Sequence, residues 1–103
     1  MTTKPIQQLD DVMLAEMKSA KRTGLSFREI RIICSKAMPL LPLYHVDDWT
    51  GRHFIHEMLS NIANLENNGI VTVTRRGKFI MRIDLTARGK ELIQSTSFEP
   101  LKV

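Results

Sequence analysis

A chain of 103 residues, 43% hydrophobic and 25% charged, has the size and composition of one globular domain, and it contains no apolar run of the roughly 20 residues that a membrane span requires. Its single cysteine cannot close an internal disulfide, and Met1-Thr2-Thr3-Lys4-Pro5 lacks the apolar stretch of a secretory signal, so a cytoplasmic protein without membrane partners is expected. The net charge of +4 is unevenly placed: residues 1–68 are neutral, whereas residues 69–93 set six basic side chains against two acidic ones, a footprint suited to a polyanion.

The first predicted element is an amphipathic helix from about Gln8 to Arg22, in which Leu9, Val12, Met13, Met17 and Ala20 recur at helical spacing. Gly24 marks its end. A second helix starts behind Ser26-Phe27-Arg28-Glu29, a capping box in which serine and glutamate satisfy each other's free backbone N–H groups, with Leu25 and Ile30 placed for a hydrophobic staple. Ile30, Ile33, Cys34 and Ala37 form its buried stripe until Pro39 stops it. Cys34 on that stripe reads as a buried, inert thiol.

After a long link, about Pro39 to Asp48, which Tyr44 and Trp49 are expected to anchor, a third helix runs from about Trp49 to Asn67. Phe54, Ile55, Met58, Leu59, Ile62 and Leu65 are expected to face inward, and Asn68-Gly69 supplies a left-handed cap. Winding at about 100° per residue turns His53, His56, Glu57, Ser60 and Asn64 outward and leaves Asn61 on the flank.

Ile70–Thr74 and Phe79–Leu85 are β-prone runs around a basic, glycine-containing tip, and they predict a hairpin. A two-residue turn at Arg76-Gly77 pairs Val71 with Arg82. A three-residue loop, Arg75-Arg76-Gly77, pairs Val73 with Phe79 and Val71 with Met81 and is the preferred register, because it keeps arginine off the apolar face. Thr86 then caps a short helix from Ala87 to about Gln94. Residues 1–7 and 95–103 are expected to be flexible tails of a single domain spanning 1–103.

The order of three helices, hairpin and closing helix, with Leu65-Glu66-Asn67-Asn68-Gly69-Ile70 entering the hairpin and Leu85-Thr86-Ala87-Arg88-Gly89-Lys90-Glu91-Leu92 leaving it, resembles the MarR and PadR families of winged helix-turn-helix regulators. The likeness spans about residues 51–93. It implies a mainly α fold with a two-stranded β-hairpin wing, a homodimer, and transcription regulation through sequence-specific binding of double-stranded DNA. The third helix would then occupy a major groove, and the basic tip the backbone or minor groove. Candidate contacts are Arg52, His53, His56, Ser60, Asn61 and Asn64 on the helix, where an asparagine suits adenine, and Arg75, Arg76, Lys78 and Arg82 on the wing. The link of about ten residues between the second and third helices is longer than a standard helix-turn-helix turn and leaves room for an extra turn or strand. The alternative reading is a winged-helix module that docks on a protein through its third helix without binding DNA.

His45, Asp47, Asp48, His53 and His56 are metal-ligand types, but no cysteine pairing or H-E-x-x-H spacing accompanies them, and neither metal nor cofactor is expected. No Ser-His-Asp order, paired acidic motif or phosphate-binding loop appears, so catalysis is not expected either.

Overall fold

The computed structural model describes residues 2–44 and 51–101. The expected start of the third helix at Trp49, the anchoring role of Trp49 and the link residues 45–48 lie outside them.

Helix α1 spans Leu9–Ser19 and buries Leu9, Val12, Met13, Leu14 and Met17. Its start is organised by Asp11, whose Oδ2 accepts hydrogen bonds from the N–H groups of Gln7 and Gln8 at 3.1 and 3.2 Å, while Lys4 Nζ lies 2.8 Å from Oδ1. These partners allow a carboxylate only 4% exposed to remain in the fold. The helix closes before the expected Arg22. Arg22 N–H donates to the Met17 carbonyl at 2.8 Å, Lys21 N–H to that of Lys18 at 3.2 Å, and Lys21 adopts φ +54°, which together make a Schellman cap. The chain therefore reverses at Lys21, and Gly24 belongs to the strand that follows.

That strand, β2 (Gly24–Ser26), feeds helix α2 (Phe27–Ala37). The capping box forms as expected: Ser26 Oγ accepts from Glu29 N–H at 3.2 Å, and Glu29 Oε1 from Ser26 N–H at 3.0 Å. Leu25, Ile30, Cys34 and Ala37 are buried. A 3-10 turn, Met38–Leu40, takes up the chain at Pro39 and opens the long link with a further buried side chain, Met38.

Helix α3 (Gly51–Asn67) places Met58, Ile62 and Leu65 in the core. Gly69, at φ +71°, ends it: Gly69 N–H donates to the Glu66 carbonyl and Ile70 N–H to that of Leu65, each at 3.0 Å. The chain then enters β3 (Val71–Arg76) and returns in β4 (Phe79–Leu85).

The hairpin register differs from both expected alternatives. Val71 pairs with Leu85, Val73 with Ile83, Arg75 with Ile80 and Arg76 with Phe79, around a two-residue turn, Gly77-Lys78, with Gly77 at φ +61°. An irregularity at Thr74/Arg75 skips Met81. The reason lies in which apolar residues the core receives. Ile83 and Leu85 oppose the two valines and are buried, whereas Phe79 and Met81, expected in that position, stay in solvent. The bulge resets the alternation so that a longer ladder fits without turning Arg82 inward.

Strand β2 pairs antiparallel with the other edge of β4, Leu25 opposite Ile83, giving a three-stranded sheet in the order β2-β4-β3 where a two-stranded hairpin was expected. Its inner face carries Leu25, Val71, Ile83 and Leu85 against the helices. Helix α4 (Ala87–Ser95) is capped by Thr86, whose Oγ1 accepts from Gly89 N–H at 3.0 Å.

The described residues of both expected flexible tails include regular structure. Strand β1 (Thr2–Pro5) pairs in parallel with β5 (Thr96–Glu99), Lys4 opposite Phe98. Lys18 Nζ donates to the Thr96 carbonyl, and Ile6, Phe98 and Leu101 pack on the core. Pairing of two segments that are weak separately, but share a hydrophobic support, accounts for the order. Among the described residues the architecture is thus α+β, with four α-helices, a three-stranded antiparallel sheet and a parallel strand pair, and less purely helical than expected.

Candidate nucleic-acid interface

The outer arc of α3 presents Arg52, His53, His56, Ser60 and Asn64, all exposed. Their spacing follows from burying the opposite side, since Met58, Ile62 and Leu65 fix the rotation of the helix. Imidazole, hydroxyl and carboxamide groups on one face can donate to and accept from base edges.

Asn61 does not join them. It is 3% exposed, its Oδ1 accepts from Asp10 N–H at 3.1 Å, and its Nδ2 donates to the Glu57 carbonyl at 2.7 Å. The side chain ties α3 to the start of α1 and is buried out of reach of a base. Rotation explains why: at about 100° per residue Asn61 lies about 60° from Met58, within the buried arc, whereas Leu59 lies about 100° away. Leu59, expected inside, is accordingly 38% exposed. Glu57 is half-buried beside Asn61, its Oε2 3.4 Å from Asn61 Nδ2, and so presents less of its charge outward than expected. Tyr44 packs against the core as expected of an anchor, and burial pushes its phenol up to about 12.

The β3–β4 hairpin has fewer available cations than its sequence suggests. Arg75 reaches from β3 to the last turn of α3 and makes a bidentate pair with Glu66, with N···O distances of 2.9 and 2.8 Å. Arg82 makes a second with Asp84, two residues along the same strand, at 3.0 and 2.8 Å. The hydrogen bonds from Arg75 hold the Glu66 carboxyl below its ordinary range and favour the charged guanidinium, and Asp84 acts likewise on Arg82. All four groups remain solvent-accessible, so these pairs are weak and can be exchanged for other anions. Arg76 and Lys78, at the tip, have no carboxylate partner among the described residues. Arg82 and Asp84 lie across Gly24, where a Cβ would overlap both side chains.

One feature of the hairpin was not legible as a site. Phe79, treated in the sequence as a core residue, is 76% exposed beside the turn, and Met81 at the bulge is 46% exposed. Only the register reveals that the apolar face continues through Ile83 and Leu85 without them.

Among the described residues no cluster of three or more His, Cys, Asp or Glu is placed to hold a metal ion; His45, Asp47 and Asp48 lie outside those residues. No described helix is long and apolar enough to cross a membrane. Cys34 is fully buried and burial pushes its thiol up to about 12, as its place on the α2 stripe implied. Comparison with known protein families, with curated proteins and with solved structures gives no match.

Proposed function

We propose that this protein is a winged helix-turn-helix module that binds double-stranded DNA, as a homodimer, to regulate transcription. In this reading α3 enters the major groove and the β3–β4 wing meets the backbone or minor groove. The observation that carries it is the physical coupling of the two parts. Helix α3 passes through Gly69 directly into β3, and the Arg75–Glu66 pair ties the wing back to the last helical turn. A helix with an exposed hydrogen-bonding face and a hairpin whose tip cations lack a carboxylate partner among the described residues therefore form one unit, which matches the division between reading bases and neutralising phosphates. The succession of α2, α3, β3, β4 and α4 supports the winged-helix reading, while the likeness to MarR and PadR regulators rests on the sequence motifs alone.

His53, His56, Ser60 and Asn64 are the base-facing candidates, with Arg52 at the helix start. Arg76 and Lys78 are the primary phosphate contacts, and Arg75 and Arg82 join only by leaving their carboxylates. Fluorescence anisotropy on mixed-sequence duplex at two salt concentrations tests the proposal. Binding should appear at low salt and weaken steeply as salt rises. Combined alanine substitution of Arg75, Arg76 and Lys78 should weaken binding to all sequences and flatten the salt slope, whereas Asn64→Ala should relax sequence preference. Absence of any binding at low salt refutes the reading.

A second reading keeps a protein-docking winged-helix module but moves its docking surface from the third helix, expected from the sequence, to a groove elsewhere on the molecule. An open groove of about 760 Å³ runs between α1, α2 and the carboxy-terminal segment, with Ile32 and Leu40 exposed along it. It leaves the α3 face unused, and a failed DNA titration would direct attention there.

A further inference from the structure

The wing combines three properties that solubility and folding do not require together. Phe79 is 76% exposed, the most exposed of the large apolar side chains among the described residues. It is paired directly across the strands with Arg76 and follows Lys78 in the two-residue turn, so it adjoins two cations that have no carboxylate partner among the described residues. The sheet's inner face is already filled by Val71, Ile83 and Leu85, so the ring contributes little to the core. Its position follows from the bulge at Thr74/Arg75, which lengthens the ladder and carries Phe79 to the tip.

We propose that Phe79 is a wedge that enters the minor groove of double-stranded DNA and partly unstacks a base step, with Arg76 and Lys78 held to the phosphates on either side. The inference rests on the DNA-binding reading and adds to it a deformation of the DNA. A minor groove is about 6 Å wide, which a two-residue hairpin tip can approach and a helix cannot. An aromatic ring that leaves water to lie against bases gains the area it exposes on the free protein. Apolar side chains inserted between base steps kink the duplex by about 20–90°. The cost is lowest at pyrimidine–purine steps, so the wing would favour TA and CA steps with few hydrogen bonds to bases. Polyanion charge and an unstackable apolar surface are both needed to explain the tip. A solvated hairpin explains Arg76 and Lys78 but not Phe79.

The test uses the full chain, mixed-sequence duplexes carrying 2-aminopurine beside a TA step, and the variants Phe79→Ala and Arg76→Ala/Lys78→Ala. The wild type should raise 2-aminopurine fluorescence severalfold on binding. Phe79→Ala should abolish that rise and weaken binding by about tenfold, the size of one lost stacking contact. Its salt slope should be unchanged, because no charge is removed, whereas the double cation variant should lower the slope by about 1.8 for two phosphates. Thermal unfolding of Phe79→Ala should match the wild type. Duplex binding with silent 2-aminopurine, or with a signal that survives Phe79→Ala, overturns the wedge and leaves the DNA reading in place. No duplex binding by the wild type at low salt overturns both. Phe79-dependent binding to phosphatidylserine-containing vesicles, in the absence of duplex binding, would reassign the tip to a lipid surface and likewise overturn the proposal.

Discussion

Gly89→Ala is the substitution whose effect the structure fixes most tightly. Gly89 lies in the first turn of α4, where the helix crosses the entry to the β3–β4 hairpin with backbone against backbone. A Cβ there would overlap the Ile70 carbonyl oxygen, with the carbonyl carbon at 3.1 Å and Leu85 Cδ2 at 3.0 Å. That carbonyl accepts from Thr86 N–H at 3.0 Å, and Thr86 Oγ1 bonds the adjacent Gly69 carbonyl at 2.6 Å while accepting from Gly89 N–H. Relief of the overlap must therefore move either the cap of α4 or the Schellman turn that ends α3. Overpacking costs about 1–3 kcal/mol, and the Thr86–Ile70 hydrogen bond adds about 1 kcal/mol if it breaks. Alanine recovers about 1 kcal/mol through its better helix propensity. The net loss is about 2 kcal/mol, a fall in Tm of about 10 °C for a domain of this size. Thermal unfolding followed by circular dichroism, with urea titration to confirm an unchanged m-value, measures it. Gly69→Ala is the internal control. Its Cβ meets nothing within 4 Å, so only the left-handed backbone is penalised, by about 1–2 kcal/mol. A Gly89→Ala protein as stable as the wild type would refute the close approach of α4 to Ile70.

Four further outcomes are expected. Glu66→Gln releases Arg75 and should steepen the salt dependence of duplex binding by about 0.9, one extra phosphate, with tighter binding at low salt. The same pair contributes its full stability above the ordinary carboxyl value of 4.5 and loses it as pH drops from there through the lowered Glu66 value, so urea midpoints of wild type and Glu66→Gln should converge in acid. Lys21→Gly removes a side chain from the φ +54° position of the α1 cap and should raise stability by about 1 kcal/mol, read as a higher Tm. Cys34 should resist a thiol-reactive disulfide reagent at pH 8 in the folded protein and react at once in denaturant, because both burial and a thiol pushed up to about 12 oppose thiolate formation. Rapid labelling without denaturant would show that α2 opens locally.

Much of this fold is written in short-range signals. Ser26 and Glu29 bond reciprocally wherever the chain turns into α2, Asn68-Gly69 ends α3 through a conformation that glycine adopts freely, and Thr86 caps α4 through its own hydroxyl. Each signal acts within a few residues and can be read without knowing what lies opposite. Apolar spacing likewise indicated Met13, Met17, Ile30, Cys34, Met58 and Ile62 as interior, and all six are fully buried.

Tertiary structure decided whatever depended on a partner distant in the chain. The hairpin register was set by burying Ile83 and Leu85 opposite the valines, at the expense of Phe79 and Met81, and a bulge made that choice compatible with the alternation of faces. Leu25 became part of a third strand because β4 had a free edge beside it, and residues 2–5 and 96–99 became ordered by pairing with each other. The same dependence reshaped the candidate interface. Asn61 was drawn inward to Asp10, fifty-one residues away, and Arg75 was drawn back to Glu66 on α3. Spacing along a helix fixes the side on which a residue lies, but which neighbour claims its hydrogen bonds or its charge is settled only when the elements meet.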